Sequence, residues 1–191
     1  MSQGVLLVIA GPSGAGKGTI VARLKALDPS LTWSVSWTTR APRPGEVDGV
    51  DYVFTTREEF ERLREADGFL EWFDVYGDLK GTPDAPVREN LAAGNDVLLE
   101  IDVNGALAVR RKYPDALLVF VRPPSREEQR ARLLRRGTEG AEAIEKRLAA
   151  AAEEEHEAVK FDHTVENDDV DRAVAEVAAI LARRRAAATE A

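Results

Sequence analysis

Within the run Gly11-Pro12-Ser13-Gly14-Ala15-Gly16-Lys17-Gly18-Thr19, the residues Gly11, Gly16 and Lys17 keep the spacing G-x-x-x-x-G-K. Glycines at such spacing let successive backbone N–H groups turn inward around an anion with no Cβ in the way. A helix that begins here offers its unpaired N–H groups and the positive end of its dipole to the same anion. Lys17 adds a mobile point charge for the outer phosphates of a nucleoside triphosphate. The run therefore reads as an ATP-binding loop, with Gly11 to Thr19 as its contacts. Most loops of this kind carry Ser or Thr directly after the lysine, as a ligand to Mg²⁺. Here that position is Gly18, and Thr19 comes next. Mg²⁺ is expected to be held mainly by nucleotide and water, in keeping with its reluctance to dehydrate, and not by direct protein ligands. The loop alone names a ligand and no reaction.

Such a loop works only when a strand delivers it and a helix follows. Val5 to Ala10 is an unbroken apolar run rich in branched side chains, the pattern of a strand buried on both faces. Ile20, Val21, Leu24 and Leu27 then recur at helical spacing, up to a stop at Asp28-Pro29. Val97 to Ile101 and Leu117 to Val121 predict two further buried parallel strands, each followed by a helical segment. His163 to Glu166 predicts a last short strand. A closing helix is expected from Val170 to about Arg184, with Val174, Val177 and Leu181 on one face, and a frayed tail from Ala186 to Ala191.

Between the first helix and Val97 the texture changes. Ala41 to Val50 is rich in proline and glycine, and Tyr52 to Phe54 and Phe69 to Phe73 read as short strands. From Ser125 to about Val159 the chain is dominated by Arg, Glu and Ala, which fits two helices joined by a turn at Gly137 to Gly140. The fold class expected is α/β. A core of residues 1–36, 88–124 and 160–191 carries a parallel sheet flanked by helices, with an inserted α/β subdomain at 37–87 and a helical segment at 125–159.

Composition narrows the classes. The 191 residues suit one compact unit with small insertions. A formal net charge of −8 argues against a general nucleic-acid binder, yet leaves room for a locally positive cleft. No cysteine is present, so disulfides and thiolate metal sites are excluded, and two histidines, His156 and His163, make a histidine-built metal site unexpected. The apolar run before Gly11 has no basic segment ahead of it and is too short to span a bilayer. A soluble, cytoplasmic protein with no membrane association is expected. No feature sets the oligomeric state.

Several motifs occur in an order that is similar to the guanylate kinase family of nucleoside monophosphate kinases. They are Ser34-Val35-Ser36-Trp37-Thr38-Thr39-Arg40-Ala41-Pro42-Arg43-Pro44-Gly45-Glu46, Gly49-Val50-Asp51-Tyr52-Val53-Phe54, Phe69-Leu70-Glu71-Trp72 and Gly81-Thr82. Downstream come Glu100-Ile101-Asp102-Val103-Asn104-Gly105, Pro123-Pro124-Ser125, Arg136-Gly137-Thr138-Glu139 and Val165-Glu166-Asn167-Asp168-Asp169. The resemblance covers about Val5 to Arg184. It implies a P-loop kinase core, an acceptor-binding insert at 37–87 and a helical lid at 125–159. The reaction implied is Mg²⁺-dependent, ATP + GMP giving ADP + GDP, with ATP and GMP as partners.

The chemistry of the residues agrees. A monophosphate acceptor needs an anion site apart from the ATP loop. Arg40 and Arg43 can supply it, since a guanidinium fork matches a phosphate bidentately, and Tyr52 adds a hydroxyl donor. Read alone, the two arginines are equally a solvated basic turn. The resemblance groups Glu46 with them. It also makes Glu71 the reader of guanine, whose ring N–H and exocyclic amine a carboxylate accepts together, with Ser36 and Thr82 toward the guanine carbonyl oxygen. Arg132, Arg136 and Arg147 are implied as the lid arginines that stabilise the moving phosphoryl charge beside Lys17. Arg130 and Arg135 read as solvated charges. Asn167 is implied as an adenine contact. Closing of lid and insert toward the core would exclude water.

Two departures from the family pattern stand out. Lys80 replaces the tyrosine common just before Gly81-Thr82, and either supplies a charge in its place or points to solvent. Glu100 stands for the first aspartate of an Asp-x-Asp pair, with a role near Mg²⁺ through water. Asp102 matches the second, toward the acceptor-site arginines or the nucleotide. Two other readings remain: a guanylate-kinase-like module that binds peptides without catalysis, and a kinase for another acceptor such as AMP.

Overall fold

A computed structural model of the chain describes residues 3–75, 77–136 and 141–190. Its centre is a five-stranded, all-parallel sheet in the order β2-β7-β1-β8-β9. The strands are β1 (Leu6–Ala10), β2 (Thr32–Trp33), β7 (Val97–Glu100), β8 (Leu117–Arg122) and β9 (His163–Glu166). Strict alternation explains why β1 is apolar throughout. Leu7 and Ile9 enter a cluster with Ile20, Val21 and Leu24 of α1 (Lys17–Leu27) and Val174, Val177 and Leu181 of α7 (Val170–Glu190). Leu6, Val8 and Ala10 enter the opposite cluster with Val87 and Leu91 of α3 (Asp84–Ala92) and Ala106 and Val109 of α4 (Val103–Lys112). Each face of the sheet is buried under helices, so every side chain of the strand leaves water.

A second sheet of four strands follows the order β4-β3-β6-β5. It contains β3 (Trp37–Thr38), β4 (Val53–Phe54), β5 (Phe69–Val75) and β6 (Asp78–Pro83). Helix α2 (Arg57–Glu65) covers one face. There Phe60 stacks on Phe69 at 4.3 Å between centroids, and Leu79, Trp37 and Leu63 complete a small apolar cluster. The start of α2 is fixed by a capping box between Thr56 and Glu59. Lys112 of α4 ties this sheet to the core by donating to the Phe69 carbonyl at 2.8 Å.

The charged segment forms α5 (Arg126–Arg136) and α6 (Ala141–His156), followed by a short 3₁₀ turn. The expected connection at Gly137 to Gly140 lies outside the described residues. Strands β2, β3 and β6 were not expected. The first two are two residues long, and their pairing comes wholly from neighbours. The expected frayed tail is corrected: α7 runs on to Glu190. Its Ala-rich end has high helix propensity, and Arg185 anchors it to Asp28 at 2.7 Å and to Asp96 at 2.5 Å.

Candidate active site

The ATP-type loop leaves β1 at Gly11 and enters α1 at Lys17. Gly11, Gly14 and Gly16 all have positive φ, at 143°, 84° and 90°. Space and strain both require glycine at two of them. A Cβ on Gly11 would lie 2.1 Å from the Val121 carbonyl oxygen, and one on Gly16 would lie 2.3 Å from Nδ2 of Asn167. The first turn of α1 carries no acidic residue, which leaves its dipole available to an anion. Lys17 Nζ folds back over the loop and donates to the carbonyls of Gly11 at 2.6 Å and Pro12 at 3.2 Å.

Three side chains from distant parts of the sequence brace this loop. Asn167, 4 % exposed, donates from Nδ2 to the Ala15 carbonyl at 2.7 Å. Arg132 on α5 donates to the Asn167 carbonyl at 2.9 Å, and Arg147 on α6 donates to the Ser13 hydroxyl at 2.9 Å. Arg130 and Arg135 sit in exposed ion pairs with Glu145 and Glu128. The Arg136 side chain lies outside the described residues. Beside the loop, a polar cleft of about 420 Å³ is lined by Gly14, Gly16, Thr19, Arg132, Asn167 and Asp168.

Sequence reasoning missed two polar groups here. Gln129, fully buried, donates to the Ser13 carbonyl at 2.7 Å and accepts from Arg126 at 3.0 Å. Its signal was faint: one amide in a helix dominated by Arg and Glu. Glu154 on α6 has a buried Oε2 with no hydrogen-bond partner. Burial pushes its carboxyl up, the Lys17 charge opposes that, and Asp102 adds to it. No spacing rule marks it among its glutamate neighbours.

The four-stranded sheet builds a different surface. Along β6, Leu79 faces α2, so Lys80 and Thr82 share the polar face. Glu71 on β5 pairs across to Thr82 and is 5 % exposed. The Thr82 hydroxyl donates to Glu71 Oε1 at 2.6 Å, and Ser36 Oγ lies 3.4 Å from Thr82 Oγ1. Burial pushes the Glu71 carboxyl up to about 7; the Thr82 hydrogen bond opposes the shift and Asp102 adds to it.

Arg40 points along the same face. Its guanidinium carbon stands 5.2 Å from the Tyr52 ring centre, and both terminal nitrogens bond Glu46, at 2.7 and 2.6 Å. Glu46 also accepts the Arg43 backbone N–H at 2.7 Å. These bonds, Arg40 first, hold the Glu46 carboxyl down at about 2. Glu46 is thus seated on the arginine loop, and the Arg43 side chain is exposed within it.

The two surfaces meet at the turn from β7 to α4. On one side, both Glu100 carboxylate oxygens lie 3.7 Å from where Gly18 would carry a Cβ. On the other, Asp102 caps α4 by accepting the Gly105 N–H at 2.7 Å. A Cβ on Gly105 would meet Asp102 Oδ1 at 3.3 Å and Glu71 Cγ at 3.4 Å. Asp102 therefore adjoins the Glu71 side chain, and its hydrogen bond goes to the helix and not to Arg40 or Arg43.

Comparison with known proteins agrees. The family model described as guanylate kinase matches residues 3–184. A guanylate kinase of Caldanaerobacter subterraneus subsp. tengcongensis is 52 % identical over 179 residues, covering 94 % of this chain and 87 % of that relative. One from Symbiobacterium thermophilum is 53 % identical over 184 residues, covering 96 % and 87 %. The crystal structure of guanylate kinase from Anaplasma phagocytophilum superposes with a TM-score of 0.76 at 33 % identity, covering 96 % of this chain and 87 % of that one. With the loop, the polar sheet face and nearly the whole length in agreement, the chain belongs to the guanylate kinase family.

Proposed function

We propose that the chain transfers the γ-phosphoryl group of ATP to the phosphate of GMP, giving ADP and GDP. The observation that carries this reading is the β7–α4 turn, where Glu100 adjoins the triphosphate loop and Asp102 adjoins Glu71. Two anion sites flank one turn, as an in-line transfer between two nucleotides requires.

On the donor side, Gly11, Pro12, Ser13, Gly14, Ala15, Gly16, Gly18 and Thr19 wrap the phosphates, and Lys17 follows the outer ones. Asn167 and Gln129 keep the loop in shape, and the 420 Å³ cleft beside it receives the adenosine. Arg132, Arg136 and Arg147 act as charge stabilisers on a lid formed by residues 125–159. On the acceptor side, Arg40, Arg43 and Tyr52 take the phosphate, and Glu46 aims Arg40. Glu71, Ser36 and Thr82 read guanine. Adenine has no donor pair for Glu71, and a buried carboxylate left unpaired costs on the order of several kcal/mol, so AMP is rejected. The acceptor phosphate is itself the nucleophile, so no strong general base is needed.

The donor set near the loop suits Mg²⁺. Gly18 offers no hydroxyl, and the adjacent Glu100, a hard oxygen donor, would hold the ion through water. Bound there, Mg²⁺ would supply charge neutralisation to the phosphates. Closure of the insert and lid shields the transfer from water. The site of action proposed is the cytoplasm.

The test is a coupled ADP-release assay with GMP, AMP, CMP and UMP as acceptors. Turnover with GMP at least about a hundredfold above the others is expected. Equal turnover with AMP, or no turnover with any, would overturn the reading.

A further inference from the structure

The geometry points to Lys80 as a third cationic grip on the acceptor phosphate. The side chain does not point to solvent. Strand β6 places Lys80 opposite Thr38 of β3 and Phe73 of β5, on the face that carries Glu71. Its Nζ comes to 3.4 Å from the Tyr52 hydroxyl and 5.0 Å from the centre of that ring. Arg40 approaches the same ring, at 5.2 Å. Two cations therefore converge on one phenol.

Their mutual repulsion is only partly offset, by Glu46 and, at longer range, by Asp78. Glu46 is bonded to Arg40, whereas Lys80 has no ion pair with a carboxylate among the described residues. Such a surplus of positive charge, beside a hydroxyl donor and inside a half-buried fold, suits a doubly charged phosphate. A tyrosine there would add one neutral hydrogen bond. Lysine adds a full charge, so its contribution grows as salt falls. Lys80 also acts on the base reader, because its charge favours the ionised form of Glu71 against burial and Asp102. The charged groups around it are thus Arg40 with Glu46 beyond β3, Asp78 two residues earlier on β6, Glu71 on β5 and Asp102 at the start of α4.

This inference rests on GMP being the acceptor, and its test separates the two. Steady-state kinetics are measured for the unaltered chain, Lys80→Met and Lys80→Tyr at low and high salt. The Met variant is expected to raise KM for GMP about ten- to a hundredfold, with KM for ATP within about twofold. The Tyr variant is expected to recover most of that loss while showing a weaker salt dependence than the unaltered chain. An unaltered KM for GMP in the Met variant would overturn the role of Lys80 alone. So would an equal rise in both KM values, which marks a structural role. No GMP turnover by the unaltered chain would overturn the acceptor assignment, and this proposal with it.

Discussion

The two proposed anion sites are built on opposite principles. The triphosphate loop is mostly backbone: three glycines with positive φ, a helix start and one lysine, within nine consecutive residues. The proposed acceptor surface is mostly side chain: Arg40, Glu46, Tyr52, Glu71, Lys80 and Thr82, drawn from β5, β6 and the loop between β3 and β4. A backbone cradle grips any phosphate of suitable shape and reads little else. A side-chain surface discriminates, because each buried group demands its own partner. The division suits a reaction in which the donor is anchored by its phosphates and the acceptor is chosen by its base.

Breaking the cradle should have the largest effect. In Gly16→Val the new side chain meets Asn167 in a backbone conformation that a branched residue resists. Turnover should fall by about a thousandfold or more, while calorimetry still detects GMP binding. Loss of GMP binding as well would show that the two sites are not separable.

Glu71→Gln strikes the other site. A hydrogen-bond acceptor for two guanine donors becomes a mixed donor and acceptor. KM for GMP is expected to rise about a hundredfold, with ATP affinity unchanged. An equal loss for ATP would refute the assignment of base reading to this surface.

The acceptor side should also respond to protons through Glu71. In the proposed reading guanine requires the ionised Glu71, whose carboxyl burial raises to about 7. KM for GMP should therefore climb as pH falls below about 7, by up to about tenfold per unit, whereas KM for ATP lacks this component. Glu71→Gln should remove it. Stability has the opposite sign: a raised folded-state value favours the protonated form. Glu71's contribution is complete below the ordinary 4.5 and is lost as pH rises through about 7.

The smallest effect sharpens the contrast. Gln129→Ala removes a buried brace of the loop without touching its phosphate face. About 1–3 kcal/mol of stability should be lost in thermal unfolding, with KM for ATP raised only a few fold. Unchanged stability would mean that the Ser13 contact carries no weight.

How much of this could be read along the chain follows the same division. The loop was legible because its nine residues are contiguous, and the buried parallel strands because two-faced burial leaves continuous apolar runs. The capping box at Thr56 and Glu59 was readable too, though unread. Strand β6 was not: Lys80, Gly81 and Pro83 mask its alternation, and its edges exist through β3 and β5. Family likeness grouped Glu46 with the nucleotide contacts, but its bonds to Arg40 and the Arg43 N–H depend on how the intervening loop turns. Gln129 and Glu154 matter through neighbours far off in sequence, which no local pattern encodes.

By itself, then, the sequence determined the cradle, the parallel core and the identity of the charged groups, because these are properties of short stretches and of side-chain type. Only the tertiary structure decided which way Lys80 points, how high the Glu71 carboxyl rises and which arginine Glu46 holds. Each of those depends on burial and on distances of a few ångströms between residues brought together by strand pairing, and electrostatic interactions in a partly dry site are set by such distances.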